Sequence, residues 1–328
     1  MIITLSYDIF ARMTKYTYVD LFAGIGGIRR GFENAFENNI ECVMTSEWDK
    51  YAAQTYESNY PGEKVRGDIT QINEAEVPDH DILLAGFPCQ PFSQAGLKKG
   101  FDDTRGTLFF DIERIILKKK PRAFLLENVK RLRSHDGGRT FEVILESLKR
   151  AGYSNLHTKV LRARDFGLPQ NRERTFIIGF IDNSINFEFP KSQAIPTRVG
   201  DILDRKIDPK YTISDKLWEG HQRRKRENKL KGKGFGYGIV NEDSEYTNTI
   251  SARYYKDGSE ILVQQKGKNP RKLTPREAAR LQGFPEEFKI LVSDTQAYKQ
   301  FGNSVAVNVI EAVASQMRIS LQNSSSKT

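Results

Sequence analysis

The chain has 328 residues, enough for one large domain or two unequal ones. Its 51 Lys and Arg stand against 42 Asp and Glu, a net charge of +9, and 38% of its residues are hydrophobic, which excludes wholesale disorder. Two cysteines, Cys42 and Cys89, exclude a disulfide framework and suit a reducing compartment, so a cytoplasmic location is expected. No metal is expected either, because His80, His135, His157 and His221 share no ligand-like spacing. No apolar run reaches the roughly 18 residues of a membrane-spanning helix. A basic chain of this kind meets a polyanion most often, nucleic acid first.

The start, MIITLSYDIFARMTKY, has no basic stretch ahead of its apolar residues and reads poorly as a signal peptide. The segment before Met13 is expected to be dispensable. Strands are expected at 17–22, 42–46, 82–85 and 123–126, with helices at 28–36, 50–59 and 108–119 between them, because apolar residues there recur at helical spacing. This alternation predicts an α/β fold, a doubly wound Rossmann-like sheet with helices on both faces. A helix at 140–151 and two β-rich runs at 156–163 and 175–181 follow. The composition turns polar, glycine-rich and basic near Pro190 and stays so to Pro275. The run His221–Lys233 (HQRRKRENKLKGK) holds seven Lys and Arg and one Glu. NTISARYYKDGSEILV reads as a hairpin presenting Arg253, Tyr254 and Tyr255. Helical pattern returns at REAARLQ and at 303–319, and the tail LQNSSSKT is expected to fray. The expected division is a domain of residues 1–190, continued by 276–328, interrupted by a smaller, irregular, β-rich domain of residues 191–275.

Four sets of residues carry chemistry. TYVDLFAGIGG runs from a strand into a glycine turn that permits close backbone approach to a ligand, although a plain structural turn reads the same way. Glu47 follows about 20 residues later, where an acid can bind ribose hydroxyls. Asp68 ends the next unit, and Trp48 offers an aromatic face. No phosphate-binding lysine accompanies them, which points to a nucleoside without phosphate, S-adenosylmethionine rather than NAD or ATP. In GFPCQPFSQAG, Cys89 stands between Pro88 and Pro91 at the carboxyl end of a strand, where open α/β sheets place their chemistry. Cys42 sits in an apolar run and reads as core. Glu127 and Asn128 in LLENV reach the same sheet edge, where a carboxylate is either a buried acid or an ordinary cap. Arg172 and Arg174 alternate in PQNRER, so they point one way on an extended chain and suit a phosphate, a base carbonyl or a solvated salt bridge.

Together with SEWDKYA, GDI, RGTLFFDI, RKLTPREAARLQGFP and YKQFGNSVAVNVI, these motifs resemble the bacterial DNA (cytosine-5)-methyltransferases of type II restriction-modification systems, in the family's order, from about Tyr18 to about Ile310. The resemblance implies Cys89 as the nucleophile at cytosine C6 and Glu127 as the group at N3 and the exocyclic amine. Arg174 would meet the base carbonyl, and Arg172 would orient the site. It implies a cofactor pocket of Phe22, Gly24, Ile25, Glu47, Trp48, Asp68, Ile69, Pro88, Leu108 and Asn303, holding S-adenosylmethionine. Residues 88–107 resemble the loop that closes over DNA. Residues 191–275 lie where the family keeps its target-recognition segment and are similar to members reading CCWGG and related CC…GG sites. Arg224 and Lys225 would contact phosphates there, and Arg253 and Tyr254 the bases. The implied partners are double-stranded DNA and a cognate restriction endonuclease acting on the same site, the chain itself being a monomer. A tRNA methyltransferase of the same family shares these motifs. A catalytically silent DNA-binding homologue would show an altered Pro-Cys or ENV, and both are intact. A NAD dehydrogenase would need G-x-G-x-x-G, and position 29 is Arg29.

Overall fold

The computed structural model describes residues 15–37, 39–88, 108–234 and 236–325. Its strands β1 (Tyr16–Leu21), β2 (Ile40–Ser46), β3 (Ile82–Gly86), β4 (Ala123–Val129), β5 (Asn155–Arg162) and β6 (Glu173–Phe180) form a mixed sheet in the order β2-β1-β3-β4-β6-β5. β1 to β4 run parallel, and β6 lies antiparallel to both β4 and β5. The helices are α1 (Gly27–Phe36), α2 (Lys50–Asn59), α3 (Leu108–Lys119), α4 (Arg139–Arg150), α5 (Asp215–Leu230), α6 (Pro275–Leu281), α7 (Asp294–Asn303) and α8 (Val307–Ser325).

Alternation along the strands decides what covers each face. Ile82 and Leu84 of β3, with Ala123 and Leu125 of β4, meet Phe32 and Phe36 of α1 and Val309, Ile310 and Val313 of α8. Leu83, Ala85, Phe124 and Leu126 point the other way, onto Ile112, Ile115 and Ile116 of α3 and Ile144 and Leu148 of α4. Each such side chain contributes about 1.5–3 kcal/mol on burial, so both faces of this sheet are needed to hold it flat against helices. The doubly wound α/β architecture read from the sequence is the one observed.

Between 190 and 275 regular structure is sparse. β7 (Ile239–Val240) and β8 (Leu262–Val263) make a short parallel pair. Ile202, Ile250, Tyr254, Ile261, Val263 and Leu273 form a separate apolar cluster with α6 and α7, reaching Ile25 and Ala52 next to the sheet.

Three local expectations are corrected. Residues 221–230 of the basic run lie in the 16-residue helix α5, in a stretch expected to be irregular; α5 is capped by Ser214 Oγ accepting from Leu217 N, and its charged residues lie all round it, so no apolar period announces it. The expected hairpin at 248–263 does not form, because the Tyr254 hydroxyl donates to Ile261 O at 2.6 Å and accepts from Leu273 N at 2.8 Å, satisfying backbone groups that a ladder would have used. The helix expected at 303–319 is broken: α7 ends at Asn303, and α8 begins at Val307 and continues through the tail to Ser325. Among the described residues no helix is long and apolar enough to cross a membrane.

Candidate active site

The turn after β1 is built from unusual backbone. Phe22 has φ +55° and Gly24 φ +56°, both in the left-handed region, and a strained non-glycine residue of this kind costs of order 1–3 kcal/mol, which the surroundings must offset. Glu47 supplies the restraint. One of its carboxylate oxygens accepts from Gly24 N and the other from Asp49 N, both at 2.8 Å, so a single side chain ties the β1 turn to the start of α2. Burial pushes the Glu47 carboxyl above the usual carboxylate range, and these N–H groups pull it back. The chain after α2 returns alongside β2: Glu47 N donates to Arg66 O at 3.1 Å and Ser46 Oγ to Gly67 O at 2.7 Å. That return brings Asp68 beside Glu47. Arg114 of α3 then holds the next turn, donating to Ile69 O at 2.6 Å and Ile72 O at 2.8 Å.

The result is a cleft of about 490 Å³, partly open to solvent, lined by Phe22, Ser46, Glu47, Trp48, Asp68, Ile69, Thr70 and Leu108. It lies at the carboxyl ends of β1 and β2, where open sheets bind ligands. Two carboxylates and two aromatic faces line it, and no Lys or Arg does among the described residues, a lining that suits a nucleoside. Trp48 is 76% exposed, an indole left uncovered by the protein itself. Ser46 and Thr70 were not foreseen; their only signal in the sequence is adjacency to Glu47 and Asp68. Of the other expected pocket residues, Gly24 offers its backbone at the turn. Ile25 turns its side chain into the apolar cluster of α6 and α7. Pro88 is exposed just beyond β3, and Asn303 is exposed at the end of α7, outside the cleft lining.

Beneath the turn lies Asp20, wholly buried. The Tyr56 hydroxyl donates to one of its oxygens at 3.3 Å, and the other has no partner among the described residues. Burial raises its pKa to about 7, against the pull of Arg29 and Tyr56.

The second half of the site lies at the same edge of the sheet. Because β6 is antiparallel to β4, its beginning meets the end of β4: Glu127 pairs with Phe176 and Val129 with Arg174. Arg174 is thus the diagonal neighbour of Glu127 on one face, within reach of a long side chain. Arg174 Nε sits 3.1 Å from Glu127 Oε1, close enough for an ion pair but misaligned for a hydrogen bond, so Oε1 is buried without an aligned donor. Burial pushes the Glu127 carboxyl up, while Arg174 and then Arg172 pull it down. Asn128 points to the opposite face and donates to Phe87 O at 2.9 Å, fixing the segment that leads to Pro88. Cys89 and the rest of the loop to residue 107 lie outside the described residues.

Arg172 is buried and has a different task. It donates to Ile250 O and Gly302 O at 3.1 Å, and to Ser304 O. Its two terminal nitrogens are taken up by backbone carbonyls, while Nε has no hydrogen-bond partner among the described residues.

Farther out, α5 leans on the turn 254–258. His221 Nε2 lies 3.2 Å from Asp257 O, Arg224 pairs with Asp257 at 3.1 Å, and Lys225 Nζ stands 4.2 Å from the Tyr237 ring centre. Arg224, Lys225, Arg226 and Lys229 are exposed, as is Arg253, whose guanidinium has no ion-pair partner among the described residues. Tyr254 is corrected: it is fully buried, edge-on to Tyr298 at 5.1 Å, and unavailable to a base.

The model of C-5 cytosine-specific DNA methylases matches residues 16–318. The chain belongs to this family. It is 67% identical over 306 residues to the type II methyltransferase M.NlaX of Neisseria lactamica, covering 93% of this chain and 97% of that one. To M.SsoII of Shigella sonnei it is 62% identical, covering 92% and 79%, and to M.HhaI of Haemophilus parahaemolyticus 44%, covering 92% and 94%. Among solved structures, the S. pombe Dnmt2 methyltransferase superposes with a TM-score of 0.76 at 20% identity, covering 93% of this chain and 99% of that one, a likeness of fold. The chain is a DNA (cytosine-5)-methyltransferase.

Proposed function

We propose that the enzyme transfers a methyl group from S-adenosylmethionine to C5 of a cytosine flipped out of duplex DNA, at the inner cytosine of a CC…GG-type site. The observation that carries this reading is the buried Glu127 carboxyl, raised in pKa and with Oε1 lacking an aligned donor among the described residues, at the sheet edge that also holds a cleft lined by two carboxylates and two aromatic side chains. When bound, S-adenosylmethionine supplies an electrophilic methyl on a sulfonium. Glu47 and Asp68 would hold its ribose, and Trp48 and Phe22 would offer aromatic faces to its base.

The protein must make a poor nucleophile reactive. The Cys89 thiolate adds to C6, the C5=C6 electrons shift toward N3, and Glu127 delivers a proton there while accepting from the exocyclic amine. Arg174 donates to the base carbonyl. C5, now enamine-like, would take the methyl, with the donor's sulfur leaving as a neutral thioether; a base then removes the C5 proton, the thiolate leaves as C5=C6 re-forms, and N3 returns its proton to Glu127. Flipping costs a few kcal/mol, which phosphate contacts offset.

Residues 1–190 with 276–328 form the catalytic part in this reading, and 191–275 the recognition part, with Arg253 reading a base and Arg224 and Lys225 meeting phosphates. The enzyme acts as a cytoplasmic monomer that shields host DNA from a cognate endonuclease. Bisulfite sequencing of DNA from cells expressing the chain tests this: modified inner cytosines in CC…GG sites are expected. A different core overturns the specificity, and methylated tRNA with unmodified DNA overturns the substrate.

A further inference from the structure

We infer that Gln170, which makes no contact with the cleft, is a positioning residue that sets the register between the base-reading segment 250–253 and the Glu127–Arg174 edge. The segment Pro169–Arg172 lies directly before β6. It pairs with the recognition stretch through Thr247 N to Pro169 O at 2.8 Å and Asn171 N to Thr247 O at 2.9 Å. Two side chains from it then take both backbone groups of one residue. Gln170 Oε1 accepts from Ile250 N at 3.1 Å, and Arg172 donates to Ile250 O at 3.1 Å.

The other end of the Gln170 amide faces α6. Its Nε2 donates to Leu281 O at 3.0 Å and to Gln282 Oε1 at 3.1 Å, and Gln282 Nε2 continues to Phe301 O in α7. Both glutamines are wholly buried. A buried amide with its donors and acceptor paired in three directions has one position available, because moving it strands polar groups away from water. From the far side Gly302 closes the clamp: a Cβ there would stand 2.2 Å from the Ser251 carbonyl carbon and 2.4 Å from Ala252 N. Arg253 emerges into solvent two residues after this clamp. A shift of Ile250 therefore moves Arg253 relative to the pocket for the flipped base, changing which neighbouring base it meets.

The inference rests on the reading of 191–275 as the recognition part. The measurement is the ratio of kcat/KM on a cognate CC…GG duplex to that on duplexes altered at one base pair, for wild type, Gln170→Leu, Gln170→Glu, Gln282→Leu and the Gln170→Leu/Gln282→Leu double variant. The expected result is a ratio lowered about tenfold, the size of one or two lost net hydrogen bonds, carried mostly by KM for DNA. Affinity for S-adenosylmethionine stays within about twofold, and the double variant is no worse than the poorer single one, because the two act as a unit. Gln170→Glu, which keeps the acceptor for Ile250 N, retains more discrimination than Gln170→Leu. Folded variants with an unchanged ratio overturn the inference, as does an equal loss of discrimination in Gln170→Glu and Gln170→Leu. Should Gln170→Leu fail to fold, Gln282→Leu against wild type gives the same decision. Failure of the underlying reading looks different: wild type would discriminate between the duplexes, and Arg253→Ala would leave its ratio unchanged.

Discussion

The sheet edge and the 190–275 stretch are held by opposite means. At the edge, Glu127, Asn128 and Arg174 ride on backbone ladders whose register fixes them within a fraction of an ångström. In the 190–275 stretch two two-residue strands provide almost no ladder, and order comes from side chains gripping backbone, as Tyr254, Gln170 and Arg172 do. Chemistry placed on ladders survives changes in neighbouring side chains. If recognition sits in 191–275, as proposed, side-chain grips let it be altered one grip at a time. The difference teaches that such an enzyme could change its target while keeping its reaction.

Substitutions can break or sharpen that contrast. The largest effect is expected for Cys89→Ser, which should abolish methyl transfer in a tritiated-methyl assay while DNA binding persists; wild type should be trapped covalently on DNA containing 5-fluorocytosine. Next, Glu127→Gln should slow the single-turnover chemical step on the order of 10²–10⁴-fold, because an amide cannot deliver the proton to N3. An unchanged rate would remove Glu127 from the mechanism. Trp48→Ala and Asp68→Ala should mainly weaken cofactor binding, Trp48→Ala by ~1–3 kcal/mol for the lost stacking, measurable by calorimetry without DNA.

On the recognition side, Arg253→Ala should cost ~1–3 kcal/mol and relax a single position of the target. Arg224→Ala or Lys225→Ala should instead weaken binding equally on all sequences and flatten the salt dependence, read from affinities at several ionic strengths. A sequence-dependent loss for Arg224 would blur the contrast drawn above. The smallest effect concerns Asp20. Its carboxyl is raised from 3.8 to about 7 in the folded protein, so between those pH values the native state holds a proton that the unfolded chain has lost. Stability from this group is thus complete below about pH 4 and lost as pH rises through about 7. Asp20→Asn should raise the melting temperature by a few degrees at pH 8 and hardly at all at pH 4.

Legibility followed the same divide. The parallel strands announced themselves because Ile82–Ala85 and Ala123–Leu126 are short apolar runs bounded by turn residues, and the cleft acids stood where such strands end. What the sequence could not convey depended on contacts between distant segments. α5 carries charge all round, so it has no period to read. Tyr254 looked like a presented aromatic because nothing local says that Leu273, 19 residues on, will claim its hydroxyl. The role of Gln170 needs the meeting of residues 170, 250 and 281, which no spacing encodes.

The packing of α8 on α1 also bears on when the fold can be completed during synthesis. Gly31 of α1 lies so close to Ile310 that a Cβ on it would stand 2.6 Å from that side chain, and Asn34 reaches Glu311 at 2.9 Å. These partners are nearly 280 residues apart, so a ribosome making on the order of 5–20 residues per second completes most of the sheet well before its covering helix exists. Until then one apolar face of β3 and β4 has no α8 above it, and the nascent chain depends on chaperones or on speed to avoid self-association. The sheet therefore stays half-covered on this face until α8 has emerged.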